Sequence, residues 1–129
     1  SWNHMGFSHE KLSQLDKAID SYKKAVGFEP KYALANYNLG NAYKQEKQLD
    51  NAIKSYKKAT EIDPNYALAW LFMGYAYLDK NDYYSAIQNL DKAINIKSDL
   101  GKDIKSVIDS IKNSIENLQK NLLEKFTNK

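Results

Sequence analysis

The chain has 129 residues, 43% apolar and 27% charged, with a formal charge of +3, which is one domain's worth of chain with room for a modest core. All 19 basic residues are lysines, so the bidentate arginine contacts that nucleic-acid sites favour are missing, and DNA or RNA binding is not indicated. Without cysteine there is no disulfide framework, thiolate metal site or cysteine nucleophile, and no apolar run of about 18 residues offers a membrane span.

Residues 1–11 read as a first helix, with Trp2, Met5, Gly6 and His9 on one helical stripe. Its opening turn is missing or short and the first residue is serine, so the chain is expected to be a piece of something longer. A second helix is expected from near Leu15. Its segment Gln14 to Ala25 is nearly duplicated by Gln48 to Ala59, with Ala18, Tyr22 and Ala25 matching Ala52, Tyr56 and Ala59. Pro30 and Pro64 then end the two helices, because proline lacks the amide a helix interior needs and disfavours the helical conformation in the residue before it.

The stretch from Ala33 to Pro64 is the template for the rest. Its Leu39-Gly40, Tyr43, Ala52, Tyr56, Ala59 and Asp63-Pro64 recur 34 residues later as Met73-Gly74, Tyr77, Ala86, Leu90, Ala93 and Lys97-Ser98. Gly40 stands inside a helix at a cost of about 1 kcal/mol relative to alanine, and a repeated glycine at that cost implies a close helix contact. In the third copy one helix is expected from about Ala67 to Lys80 and its partner from about Tyr83 to Ile96, with Asn81-Asp82 as the turn and helix start.

These residues resemble the tetratricopeptide repeat, whose 34-residue unit carries a W-x2-L-G-x2-Y, A-x3-F, P pattern over two antiparallel helices. The resemblance implies an all-α, right-handed solenoid. It places three units at 1–32, 33–66 and 67–98, the first shortened at its start, followed by a capping or extension helix over 99–129. Asn36 departs from the pattern where the family favours tryptophan, His9 replaces an aromatic, and Ser98 replaces the last proline, which leaves the following chain free to enter a different kind of segment.

In that tail Ile104, Val107, Ile108 and Ile111 keep the apolar places of a unit's first helix, while Lys120, Glu124 and Thr127 fall where the second helix should have two alanines and an aromatic. The apolar seam continues through Ile115, Leu118 and Leu122, joined by Leu123 and Phe126. Past roughly Asn113 the helix should project beyond the body, and this end either folds back on its own repeats or buries itself on a second molecule.

Catalytic, cofactor-binding and metal-binding motifs are not found, and the chain is not expected to be an enzyme. His4 and His9 are not spaced to share a helical face, and His9 stands at the packing place held by Tyr43 and Tyr77. The carboxylates read as solvated surface charge. The family's geometry instead implies a concave wall for an extended peptide or a helix, presented by Phe7, Tyr37, Asn38, Asn41, Leu71, Phe72, Tyr75 and Leu78. The lysine, asparagine and arginine clamp with which some members hold the carboxylate of chaperone tails would need five matches and finds only Asn38.

Two readings follow, with a cytoplasmic setting expected for either. In one, the chain is a protein–protein interaction scaffold whose groove holds a partner polypeptide, and the apolar residues of the third copy line it rather than being covered by the tail. In the other it is a self-assembly module, a homo-oligomer held by Ile115, Leu118, Leu122, Leu123 and Phe126.

Overall fold

The computed structural model describes residues 2–29 and 31–127, with side chains from residue 14 onward. The described residues form α1 (Trp2–Phe28), α2 (Ala33–Gln45), α3 (Leu49–Ile62), α4 (Ala67–Asp79), α5 (Tyr83–Ile96) and, after a 3-10 turn at Ser98–Leu100, α6 (Gly101–Thr127). The most extensive packing is α2 on α3 and α4 on α5. α1 lies on α2, α3 on α4 and α5 on α6, so each helix packs on its neighbour in the chain. The result is an all-α stack of helix pairs.

Small residues let the paired helices close. Ala52, Tyr56 and Ala59 on α3, and Ala86, Leu90 and Ala93 on α5, are wholly buried at matching places. A Cβ added at Gly40 would stand 2.7 Å from ring carbons of Tyr56, and one at Gly74 would stand 2.9 Å from Leu90. Each glycine is therefore where the large side chain of the opposite helix comes to rest. Gly40→Ala is expected to destabilise, because forcing a methyl against a fully buried ring costs about 1–3 kcal/mol and the gain in helix propensity is at most about 1 kcal/mol. Gly27→Ala on α1, where nothing lies within 4 Å, should have the opposite sign and stabilise by about 0.5 kcal/mol. Urea denaturation of the two variants checks the difference in sign.

The turns repeat as closely as the helices. Lys47 and Asn81 take positive φ, 62° and 64°, between the helices of the second and third copies, and the amides of Gln48 and Asp82 donate back to the carbonyls of Tyr43 and Tyr77. Asp82 also caps α5 by accepting from the Ser85 amide. Asp63, ahead of Pro64, is extended at φ −129° and ψ 94°, and Lys97 adopts φ −132° and ψ 96° with no proline after it. Losing the proline at Ser98 therefore leaves the helix stop intact.

The first copy differs from its expected form. A turn near Ser13 does not occur, and α1 runs unbroken from Trp2 to Phe28. Ser13 stands where Lys47 and Asn81 take positive φ in the later copies, and nothing in Leu12-Ser13-Gln14 opposes a continuing helix. The consequence is visible in burial: Ala18, Tyr22 and Ala25 are half-buried, whereas their counterparts on α3 are fully covered by α2.

At the other end, Ile104, Ile108 and Ile111 of α6 are buried with Leu71, Leu90 and Ala93 in a second core cluster, which caps the last helix pair. From Lys112 to Thr127 every residue is exposed except the half-buried Ile115, so the helix projects past the body as its length requires. No helix among the described residues is long and apolar enough to cross a membrane.

Candidate functional site

The wall formed by α2 and α4 is built on aromatic side chains. Tyr37 lies at its centre, with ring centroids of Tyr66 at 5.1 Å, Phe72 at 6.0 Å and Tyr56 at 6.1 Å, and Phe72 continues the series to Tyr75 at 6.0 Å in an edge-on contact. Such tilted and edge-on arrangements are the favoured ones for aromatic pairs. They arise because α2 and α4 present the same helical face one repeat apart, and the loop residue Tyr66 closes over the gap. Burial raises the phenol of Tyr66 above its usual pKa, with Tyr37 and Asp63 adding to the shift.

Beside these rings a hollow of about 280 Å³ is lined by Asn41, Lys44, Gln45 and Phe72. Asn41 is held from behind: the hydroxyl of the fully buried Tyr56 donates to its Oδ1. Burial pushes the Tyr56 phenol far above its ordinary pKa, with Tyr37 contributing, so the hydroxyl keeps its proton and remains the donor in this pair. That fixes the amide's orientation and leaves the Nδ2 donor of Asn41 for whatever enters the hollow. Lys44 stands 3.8 Å from Asp79 of α4, which ties the two helices across the mouth. A second ion pair, Lys80 with Asp50, links α4 to the start of α3.

A buried amide and a half-buried indole fix the frame beneath. At the place where tryptophan was expected, Asn36 is buried and its Nδ2 donates to the Tyr32 carbonyl at 2.8 Å. Its counterpart Trp70 donates from Nε1 to the Pro64 carbonyl at 3.0 Å. Both side chains thus hold the loop that leads into their own helix, so the departure at Asn36 preserves the hydrogen bond while giving up the ring.

The expected groove residues do not form one continuous wall. Tyr37, Asn41 and Phe72 come together at the hollow, and Asn38 is half-buried on the same helix. Leu71 does not join them. It is a core residue, 7% exposed, packed with Leu90, Ile104 and Ile108, because at its turn of α4 the helix faces α6. Tyr75 and Leu78 are half-buried against that same cluster, so the first half of α6 covers much of the apolar surface of the third copy. Phe7 lies outside the described side chains. Tyr66 joins the wall from the turn before α4, where helical spacing does not point to it; its recurrence 34 residues after Tyr32 was the available signal. Of the tail residues, Ile115 is half-buried at the edge of the second cluster, and Leu118, Leu122, Leu123 and Phe126 are exposed.

Comparison with known proteins agrees with this architecture. A family model described as TPR repeat matches residues 10–47 and 40–80, and one described as tetratricopeptide repeat matches residues 67–100. No curated protein matches the chain. Among solved structures, the Sgt2 TPR domain from Aspergillus fumigatus is similar, with a TM-score of 0.76 and 29% identity over 91% of this chain and 78% of that one. A MamA crystal structure is similar at a TM-score of 0.65 and 29% identity, over 75% of this chain and 57% of its own. The Yersinia enterocolitica type III secretion chaperone SycD, solved with a peptide of the translocator YopD, shares the fold at a TM-score of 0.75 and 17% identity, over 86% of this chain and 89% of that one. With its 34-residue period, its repeated close contact of a helix glycine with a large side chain of the paired helix, and family models spanning residues 10–100, the chain belongs to the tetratricopeptide repeat family.

Proposed function

We propose that this chain is a protein–protein interaction scaffold that holds an extended segment of a partner polypeptide along α2 and α4, with Tyr37, Asn41 and Phe72 as its principal contacts. The observation that carries this reading is the orientation of Asn41. Its acceptor oxygen is occupied by the Tyr56 hydroxyl, so its amide nitrogen can donate to a peptide carbonyl at the hollow lined by Phe72, Lys44 and Gln45. An extended peptide exposes a row of backbone carbonyls and amides, and a fixed amide beside an apolar ring suits one such carbonyl and the side chain next to it. The fold of SycD, solved with a translocator peptide, supports the capacity of such a scaffold to host a peptide, and at its low identity it supports nothing about residues. The reading assigns no catalytic residue, metal or cofactor.

A peptide selected on the full chain from a random display library supplies the ligand for the test. Phe72→Ser is expected to weaken its binding at least about tenfold, and Asn41→Ala by a similar factor, since a lost hydrogen bond at a desolvated contact is worth about 1–2 kcal/mol. Titration by fluorescence anisotropy reads both, with helical content checked by circular dichroism. Unchanged affinity in both variants would reject this groove.

A further inference from the structure

We infer that the overhanging half of α6 is a homodimerisation helix, which pairs antiparallel with the same segment of a second copy. The stripe that caps the repeats does not stop where the repeats stop. Ile104, Ile108 and Ile111 are buried against α4 and α5, and the same spacing of four and three carries on through Ile115, Leu118 and Leu122, with Phe126 one turn further. Beyond the half-buried Ile115 the stripe is bare: Leu118 and Leu122 are 58% exposed, Leu123 65% and Phe126 70%. Several large apolar side chains in a row reach the few hundred Å² at which exposed patches mark interaction sites rather than ordinary surface.

The occupant follows from length, charge and space. The bare stretch is roughly 24 Å long at 1.5 Å per residue, and its apolar part from Ile115 to Leu122 is centred between Leu118 and Gln119. Laid antiparallel about that centre, two copies bring Ile115 opposite Leu122 of the other chain, with the two Leu118 side chains neighbours across the axis. The stem of Lys112 then lies beside the Phe126 ring, a pairing that also favours the ammonium. A parallel pair would instead bring two repeat bodies to the same end of the coil.

Charge does not oppose the pairing of like chains. Residues 112–127 hold three lysines and two glutamates, a net of one positive charge. Lys112, Glu116, Lys120 and Glu124 alternate in sign four residues apart, so they offset one another along their own helix and strengthen it as it leaves the body. Gln119, Ser114 and Asn121 border the stripe without charge. No one-sided charge calls for an acidic or basic partner. Two helices of this length bury an area near the lower limit for specific interfaces, about 1,000 Å², which suits a weak, reversible dimer.

Sedimentation velocity on the full chain from about 2 to 400 μM should show a monomer–dimer equilibrium in that range. Leu118→Lys combined with Leu122→Lys changes only exposed positions and should remain monomeric throughout with unaltered circular dichroism. The chain has no cysteine, so an introduced one is the sole thiol. Gln119→Cys, near the two-fold axis, should give a covalent dimer on mild oxidation, and Lys112→Cys should not. A wild-type chain that is monomeric at the highest concentration overturns the inference, as does a double-lysine variant that still dimerises. Crosslinking of both cysteine variants would establish parallel pairing and overturn it equally. The substituted positions lie away from Asn41 and Phe72, so this outcome is independent of peptide binding in the groove.

Discussion

Tyr56→Ala is expected to lower the stability of the chain by about 3–5 kcal/mol, the range for truncating a fully buried aromatic to alanine. Three separate contacts are lost. The ring is the surface on which Gly40 lets α2 approach α3, its centroid lies 6.1 Å from that of Tyr37, and its hydroxyl donates to Asn41. Removing it opens a cavity between two helices that cannot collapse freely, because Ala52 and Ala59 on either side are already wholly buried. It also leaves Asn41 Oδ1 without its partner. Against a total of about 5–15 kcal/mol for a domain, the loss should move the urea midpoint far enough to unfold a large fraction at moderate denaturant. Tyr56→Phe isolates the hydroxyl and should cost about 1 kcal/mol, with the rest of the packing kept. Since the same hydroxyl orients Asn41, the phenylalanine variant is also expected to bind the selected peptide more weakly than its small loss of stability would suggest.

The contrast between Tyr56 and Tyr22 shows what the sequence could and could not convey. Both occupy the same place in the 34-residue period, and the period alone locates α2 to α5 closely, because each of those helices is fixed by local signals that recur: the glycine, the two alanines and the turn residues. Tyr22 reads identically, yet it is half-buried, since α1 continues straight where a reversal near Ser13 was expected. A reversal depends on one residue accepting a left-handed conformation and on the packing that compensates for it, and a periodic match of apolar positions contains neither quantity. Leu71 illustrates the second kind of miss. Its spacing on α4 allowed either the open wall or the core, and the choice was made by α6, a helix some thirty residues away whose docking angle no local pattern specifies. Tyr66 was overlooked for a third reason: it comes from a loop, so helical periodicity gave it no face. The helices that carry Asn41 and Phe72 were legible, whereas the hydroxyl that orients Asn41 required the packing of α2 on α3.

The cap formed by α6 should prove separable from the rest, and Ile104→Asp tests this with a large and localised effect. Ile104 is 1% exposed among Leu71, Leu90 and Ile108, an apolar surrounding for a carboxylate. An unpaired buried charge costs several kcal/mol, which is enough to undock α6 from α5. In a stack where each helix pair touches only its neighbours, that loss is not shared evenly. Hydrogen exchange should therefore show protection falling in α5 and α6, while amides of α2 and α3, held by Tyr56 and Leu39, stay protected. The pH dependence has a definite sign. Burial raises the new carboxyl's folded-state pKa above the unfolded value of about 3.9. Docking is thus best preserved in acid below that value and is lost as pH rises through the raised folded pKa. The variant at pH 4 should recover much of the protection it lacks at pH 8. An even loss of protection from α2 through α6 would instead show that the helices unfold as one cooperative unit, with the cap as much a part of the core as Tyr56.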